Sequence, residues 1–90
     1  MIRIGIIGCG AALHRNHLPA LRRLPHARIV AATDPDPARL PAVPAFPDAQ
    51  SLLDSGGIDV AAILTPPHTH FELARLALAR NCHVLLEKPA

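Results

Sequence analysis

The chain has 90 residues, a net charge of +2 and two aromatic side chains, Phe46 and Phe71, while half of its residues are hydrophobic. A chain of this size makes one small domain that buries about 60–65% of its unfolded surface, and its apolar content excludes a disordered segment. Scarce aromatic rings and dispersed basic residues argue against a nucleic-acid partner, because a solvated helix face explains Arg22-Arg23, the one basic doublet.

Residues 2–8, IRIGIIG, form a short Ile-rich run with only Arg3 polar, which suits a strand buried on both faces of a parallel sheet. Residues 9–25 read as a helix whose Ala12, Leu13, Leu18, Leu21 and Leu24 cover one broad side, kinked or restarted near His17 by Pro19. A second strand occupies 27–33. Residues 35–47 hold five of the ten prolines. One helical turn (37–40) and a poor strand (43–46) fit there, the strand at a sheet edge because proline cannot donate to a ladder.

Residues 48–57 make a short helix capped by Asp48 and stopped by Gly56-Gly57. Residues 58–65 are the fourth strand. The clearest helix is 66–81, with Leu73, Ala74, Ala77 and Leu78 on its apolar side and Glu72, Arg75 and Arg80 in water. The fifth strand is HVLL, 83–86. Strands alternating with helices imply a parallel α/β sheet with right-handed crossovers.

Gly8 and Gly10 stand directly after the first strand, in GIIGCGAA. In a dinucleotide-binding turn the first glycine makes the tight bend, and the second lets bare backbone approach a pyrophosphate. Cys9, Ala11 and Ala12 complete the turn and the start of the helix, whose free N–H groups favour an anion. The third position of the G-x-G-x-x-G pattern is Leu13 rather than a small residue. Asp34 ends the second strand 24 residues after Gly10, close to the spacing at which an acid meets the adenosine ribose. Its carboxylate accepts from a 2′-hydroxyl and repels a 2′-phosphate, and Pro35 follows where an arginine would welcome that phosphate. NAD is therefore expected over NADP, with Arg39 the nearby cation that weakens the preference.

Cys9 and Cys82 read as reduced thiols of a cytoplasmic protein. They are expected at opposite ends of the sheet, too far apart to bridge. Cys9 stands near a helix N-terminus, where thiol pKa tends to fall, although a small filler of the glycine turn is its simpler reading. No signal peptide opens the chain, and no apolar run approaches the ~20 residues that cross a membrane. His14, His17, His68 and His70 gather toward one end of the sheet without acids or thiols to complete a site, so no metal is expected.

In this order, GIIGCG, HLPAL, DPDPARL, TPPHTHFELARLAL and HVLLEKP resemble the glucose–fructose oxidoreductase / inositol dehydrogenase (Gfo/Idh/MocA) family from Ile2 to Pro89. The resemblance implies the N-terminal domain, residues 1–90, of a two-domain NAD(P)-dependent oxidoreductase acting on CH–OH groups of a sugar, inositol or related polyol. It implies a Rossmann-type doubly wound sheet of about five strands in the order 3-2-1-4-5. It implies a truncated chain, because the C-terminal domain that supplies most of the substrate pocket is not in this sequence. Thr65, Pro66, Pro67 and His70 match the loop that lies along the cofactor toward the nicotinamide. Glu87, Lys88 and Pro89 match the family signature, with Lys88 the catalytic lysine beside nicotinamide and substrate hydroxyl.

Without that context, Lys88 reads as a solvent-exposed lysine paired to Glu87. A free-standing, non-catalytic module that binds or senses NAD fits the same residues, and DNA downstream of codon 90 discriminates the two. The G-x-G turn of methyltransferases leaves E-K-P without a use. A chain ending at its fifth strand is also expected to self-associate through the open sheet edge.

Overall fold

The computed structural model describes residues 1–10 and 13–86. Four parallel strands, β1 (Ile2–Ile7), β2 (Ala27–Thr33), β3 (Val60–Ile63) and β4 (His83–Leu86), form one sheet in the order β2-β1-β3-β4. Three helices connect them: α1 (Leu18–Arg22), entered through a π-helical turn Leu13–His17; α2 (Ala49–Asp54); and α3 (His70–Ala79). This is the parallel α/β sheet expected from the alternation of strands and helices.

The expected edge strand at 43–46 contracts to a single parallel bridge between Ala32 and Ala45, so the sheet has four strands rather than five. The reason is the spacing of Pro41, Pro44 and Pro47. Every third residue lacks an N–H, leaving Ala32 N–H to Pro44 O (3.0 Å) and Phe46 N–H to Ala32 O (2.9 Å) as the contacts to β2. That bridge occupies the outer position that the order 3-2-1-4-5 gives its third strand.

Strand alternation divides the interior into two cores. Ile4, Ile6, Ala32 and Ala62 face Leu13 and Leu18 on the α1 side. Ile7, Ala31, Ala61 and Ile63 face Leu52 and Leu53 of α2 and Ala77 of α3. Ile6, Leu13, Leu52 and Ile63 are fully buried, each worth about 1.5–3 kcal/mol of transfer free energy. Gly5 lets α2 close on β1, since a Cβ there would lie 2.9 Å from Leu52 Cδ2.

Pro19 falls in the first turn of α1, where its missing N–H does no harm, and the helix restarts beside His17 as the sequence suggests. Leu13, in place of a small residue, packs fully into the core. Asp48 caps α2 by accepting from Ser51 N–H at 2.8 Å. The helix run expected at 66–81 opens as a tight turn, Pro67–Thr69, before α3, and Asn81 takes a left-handed φ of 60° just past its end. The two amphipathic faces differ in detail from expectation. Leu24 and Leu78 are 50% and 62% exposed, because α1 ends at Arg22 and Leu78 turns to the flank of α3. Arg80, expected in water, pairs with Asp54 of α2.

Candidate functional site

Parallel strands bring their carboxyl ends to one edge of the sheet, the place where open α/β sheets bind ligands. β1 ends at Ile7, level with Thr33 of β2 and Ile63 of β3. That level is reached because β2 carries one extra residue, Val30, where the register shifts between Ile4 and Gly5. Gly8, Asp34 and Leu64 therefore leave the sheet side by side. Gly8 N–H donates to Thr33 O (2.9 Å), and Leu64 N–H donates to Ile7 O (2.8 Å).

Gly8 has φ +94°, and a Cβ there would stand 2.8 Å from Thr65 Cγ2 and 3.0 Å from Leu64 C and Thr65 N. Both backbone conformation and close approach demand glycine. Gly10 differs: a Cβ there meets nothing within 4 Å. It borders open space, as a residue that admits a ligand to its backbone must.

Asp34 is fastened rather than free. One carboxylate oxygen accepts from Cys9 N–H at 2.7 Å, inside the glycine turn, and the other accepts from Asp36 N–H at 2.8 Å. Each oxygen keeps a second lone pair, enough for a pair of hydroxyl donors. The Cys9 side chain turns away into the α1-side core and is fully buried, its thiol 3.6 Å from Thr33 O. Burial, and then the neighbouring Asp34 charge, pushes this thiol up to about 11. The lowered thiol pKa suggested by the helix start does not arise, because desolvation of the thiolate dominates. Cys82 lies in the opposite core, and both cysteines are free.

The loop after β3 is braced from within. Thr69 Oγ1 donates to Pro66 O (2.7 Å), so Thr65 Oγ1 donates to Thr69 Oγ1 (2.5 Å). His70 is buried, and its Nε2 lies 2.9 Å from Thr65 O. A carbonyl only accepts, so Nε2 carries the proton, and Nδ1 is left buried without a partner. Among the described residues no three His, Cys, Asp or Glu side chains gather into a metal site.

These segments enclose an open cleft of about 660 Å³, lined by Gly8, Gly10, Asp34, Pro35, Asp36, Arg39, Leu64, Thr65, Pro66, His68 and Thr69. Of the expected site residues it unites Gly8, Gly10, Asp34, Pro35, Thr65 and Pro66. Pro67 and His70 are not in its lining; His70 instead holds the loop from beneath. Ala11, Ala12, Glu87 and Lys88 lie outside the described residues. Sequence reasoning did not assign Asp36, Leu64 and Thr69 to the cleft. The Asp-Pro-Asp-Pro repeat was the available signal for Asp36, since such residues fold back on their own backbone.

The model of a family described as an oxidoreductase family with an NAD-binding Rossmann fold (GFO_IDH_MocA) matches residues 2–90. Galactose 1-dehydrogenase of Pseudomonas fluorescens is 39% identical over 90 residues, covering 98% of this chain and 29% of that protein. Inositol 2-dehydrogenase of Arthrobacter sp. (strain FB24) is 32% identical, covering 98% and 28%. The crystal structure of a dehydrogenase from Chromobacterium violaceum superposes with a TM-score of 0.90 at 32% identity, over 99% of this chain and 28% of that one. The chain thus spans less than a third of the length of the curated relatives it matches.

Proposed function

This chain belongs to the Gfo/Idh/MocA oxidoreductase family, with its NAD-binding Rossmann fold, and on that premise we propose that residues 1–90 hold NAD for a cytoplasmic enzyme that oxidises or reduces a CH–OH group of a sugar, inositol or related polyol. The observation that carries this reading is the Asp34 carboxylate anchored at 2.7 Å to Cys9 N–H within the glycine turn. It sets an acceptor for ribose hydroxyls beside a turn whose Gly10 leaves room for a diphosphate. The residues present fit the group.

NAD is preferred to NADP in this reading. A 2′-phosphate at the Asp34 carboxylate meets like charge, worth about 1–4 kcal/mol at close approach and surface-like dielectric. Thr65 and Pro66 form the wall of the cleft that leads toward the nicotinamide, held rigid by Thr69 and His70. When bound, the dinucleotide supplies the hydride acceptor. Lys88 takes the catalytic position that the E-K-P signature implies, where an ammonium stabilises the charge developing on the alcohol oxygen. The substrate pocket is assigned to a further domain, as befits relatives more than three times this length.

Titration of the ¹⁵N-labelled chain with NAD⁺ tests the cofactor reading. Amide shifts at Gly8, Gly10, Asp34 and Thr65 are expected to move together and saturate. Absence of any shift at millimolar NAD⁺ rules the reading out.

A further inference from the structure

The turn after β2 carries an acid that the cofactor reading leaves unused. Asp36 stands two residues beyond Asp34 and lines the same cleft, as does Arg39. Its Oδ1 caps the short helical turn by accepting from Ala38 N–H at 3.0 Å, and its Oδ2 lies 3.6 Å from Arg39 Nε. Both side chains are more than half exposed, 53% for Asp36 and 59% for Arg39. A pair this exposed adds little to stability. Its consequence lies in what it does to the adenosine end of the cleft.

Arg39 is the only arginine or lysine in the cleft lining among the described residues. Its backbone is tied down independently of its charge: His14 Nε2 donates to Arg39 O at 2.7 Å, joining the 36–39 turn to the helical segment that follows the glycine turn. The guanidinium therefore needs only side-chain rotation to address a group at the ribose 2′ position. Asp36 competes for that guanidinium.

We propose that Asp36 is a positioning residue that sets dinucleotide specificity: it keeps Arg39 committed within the turn and so withholds from a 2′-phosphate the one arginine that lines the cleft among the described residues. The inference rests on the NAD-binding reading of this cleft and deepens it. Rejection of NADP then has two parts. Asp34 repels the phosphate directly, and Asp36 removes its counter-ion. Arg39 is a latent phosphate ligand, since its planar fork matches a phosphate once released.

The test compares NAD⁺ and NADP⁺ binding by amide-shift titration of the wild-type chain, Asp36→Asn, and Asp36→Asn combined with Arg39→Gln. Asparagine keeps the Oδ1 acceptor for Ala38 N–H, so the turn is retained while the charge is lost. Cα shifts of Pro37 and Ala38 that stay at their wild-type helical-turn values monitor this. The ratio of NADP⁺ to NAD⁺ dissociation constants is expected to fall by up to about fivefold in Asp36→Asn, equivalent to ~1 kcal/mol. The gain is expected to vanish in the double variant and to shrink at high ionic strength.

A ratio unchanged in Asp36→Asn, or a gain that survives Arg39→Gln, overturns the role of Asp36 while leaving the NAD reading intact. Wild-type protein that binds NADP⁺ more tightly than NAD⁺ also overturns it, because Arg39 is then already free. A wild-type chain that binds neither dinucleotide removes the cofactor reading itself, and this inference with it.

Discussion

Replacing Gly8 by alanine puts one methyl group where the chain has no room for it. The φ of +94° is one that L-residues rarely adopt, at a cost of about 1–3 kcal/mol. The new Cβ would also stand 2.8 Å from Thr65 Cγ2 and 3.0 Å from two backbone atoms of β3's outgoing chain. Backbone cannot swing aside as a flexible side chain can, so overpacking adds about 1–3 kcal/mol. The sum, about 2–6 kcal/mol, is a large part of the ~5–13 kcal/mol expected for a domain of this length. Thermal unfolding followed by circular dichroism should show the midpoint falling by roughly 10–45 °C.

Gly10→Ala is the control. A Cβ there meets nothing within 4 Å, so stability should stay within about 0.5 kcal/mol of wild type or rise slightly. Its methyl group projects where a diphosphate would rest, so NAD⁺ affinity should drop instead. If Gly8→Ala melts within about 2 °C of wild type, or if Gly10→Ala is as damaged as Gly8→Ala, the assignment of distinct duties to the two glycines is wrong.

Two further expectations concern titratable groups. Asp59, which opens β3 from the far end of the sheet, is held down to about 2 from 3.8, first by the Arg3 guanidinium and then by Arg3 N–H at 2.7 Å. A folded pKa below the unfolded one means stability that is fully present above about 3.8 and is lost as pH falls through about 2. Urea midpoints should therefore decline across that window, and Asp59→Asn should flatten the decline; an identical slope in the variant would refute the linkage. A Cys9 thiol pushed up to about 11 from 9.0 presents roughly a hundredfold less thiolate near pH 8. Native protein should label with an aromatic disulfide reagent far more slowly than free cysteine and at ordinary speed in urea, whereas fast labelling of Cys9 in the native state would contradict its burial.

Much of the fold was written in local pattern. The Ile-rich run gave β1, HVLL gave β4, and the Asp48 cap and Gly56 placed α2, because each rests on side-chain periodicity or on a residue's own backbone preference. Glycine turn and strand-end acid were legible for the same reason, as was Pro19's restart of the helix. The edge strand failed because three prolines removed donors that a ladder needs, and strand propensity alone carries no record of which N–H groups a neighbour requires. Similarly, Leu78 has the right period for the core, yet nothing in that period says which flank of α3 the sheet will cover.

Residue identity fixed what each group could do: Gly8 could bend, Asp34 could accept, Thr65 and Thr69 could donate. Only the packed sheet decided that they would meet. The extra residue in β2 brings Thr33 level with Ile7, and that alignment lets Asp34 reach back to Cys9 N–H across 25 positions of sequence. Burial of the Cys9 thiol, the grip of His70 on Thr65 and the pairing of Asp36 with Arg39 beside His14 depend on the same convergence. Such contacts join segments that share no local pattern, so they exist only once parallel strands have brought their ends to a common edge.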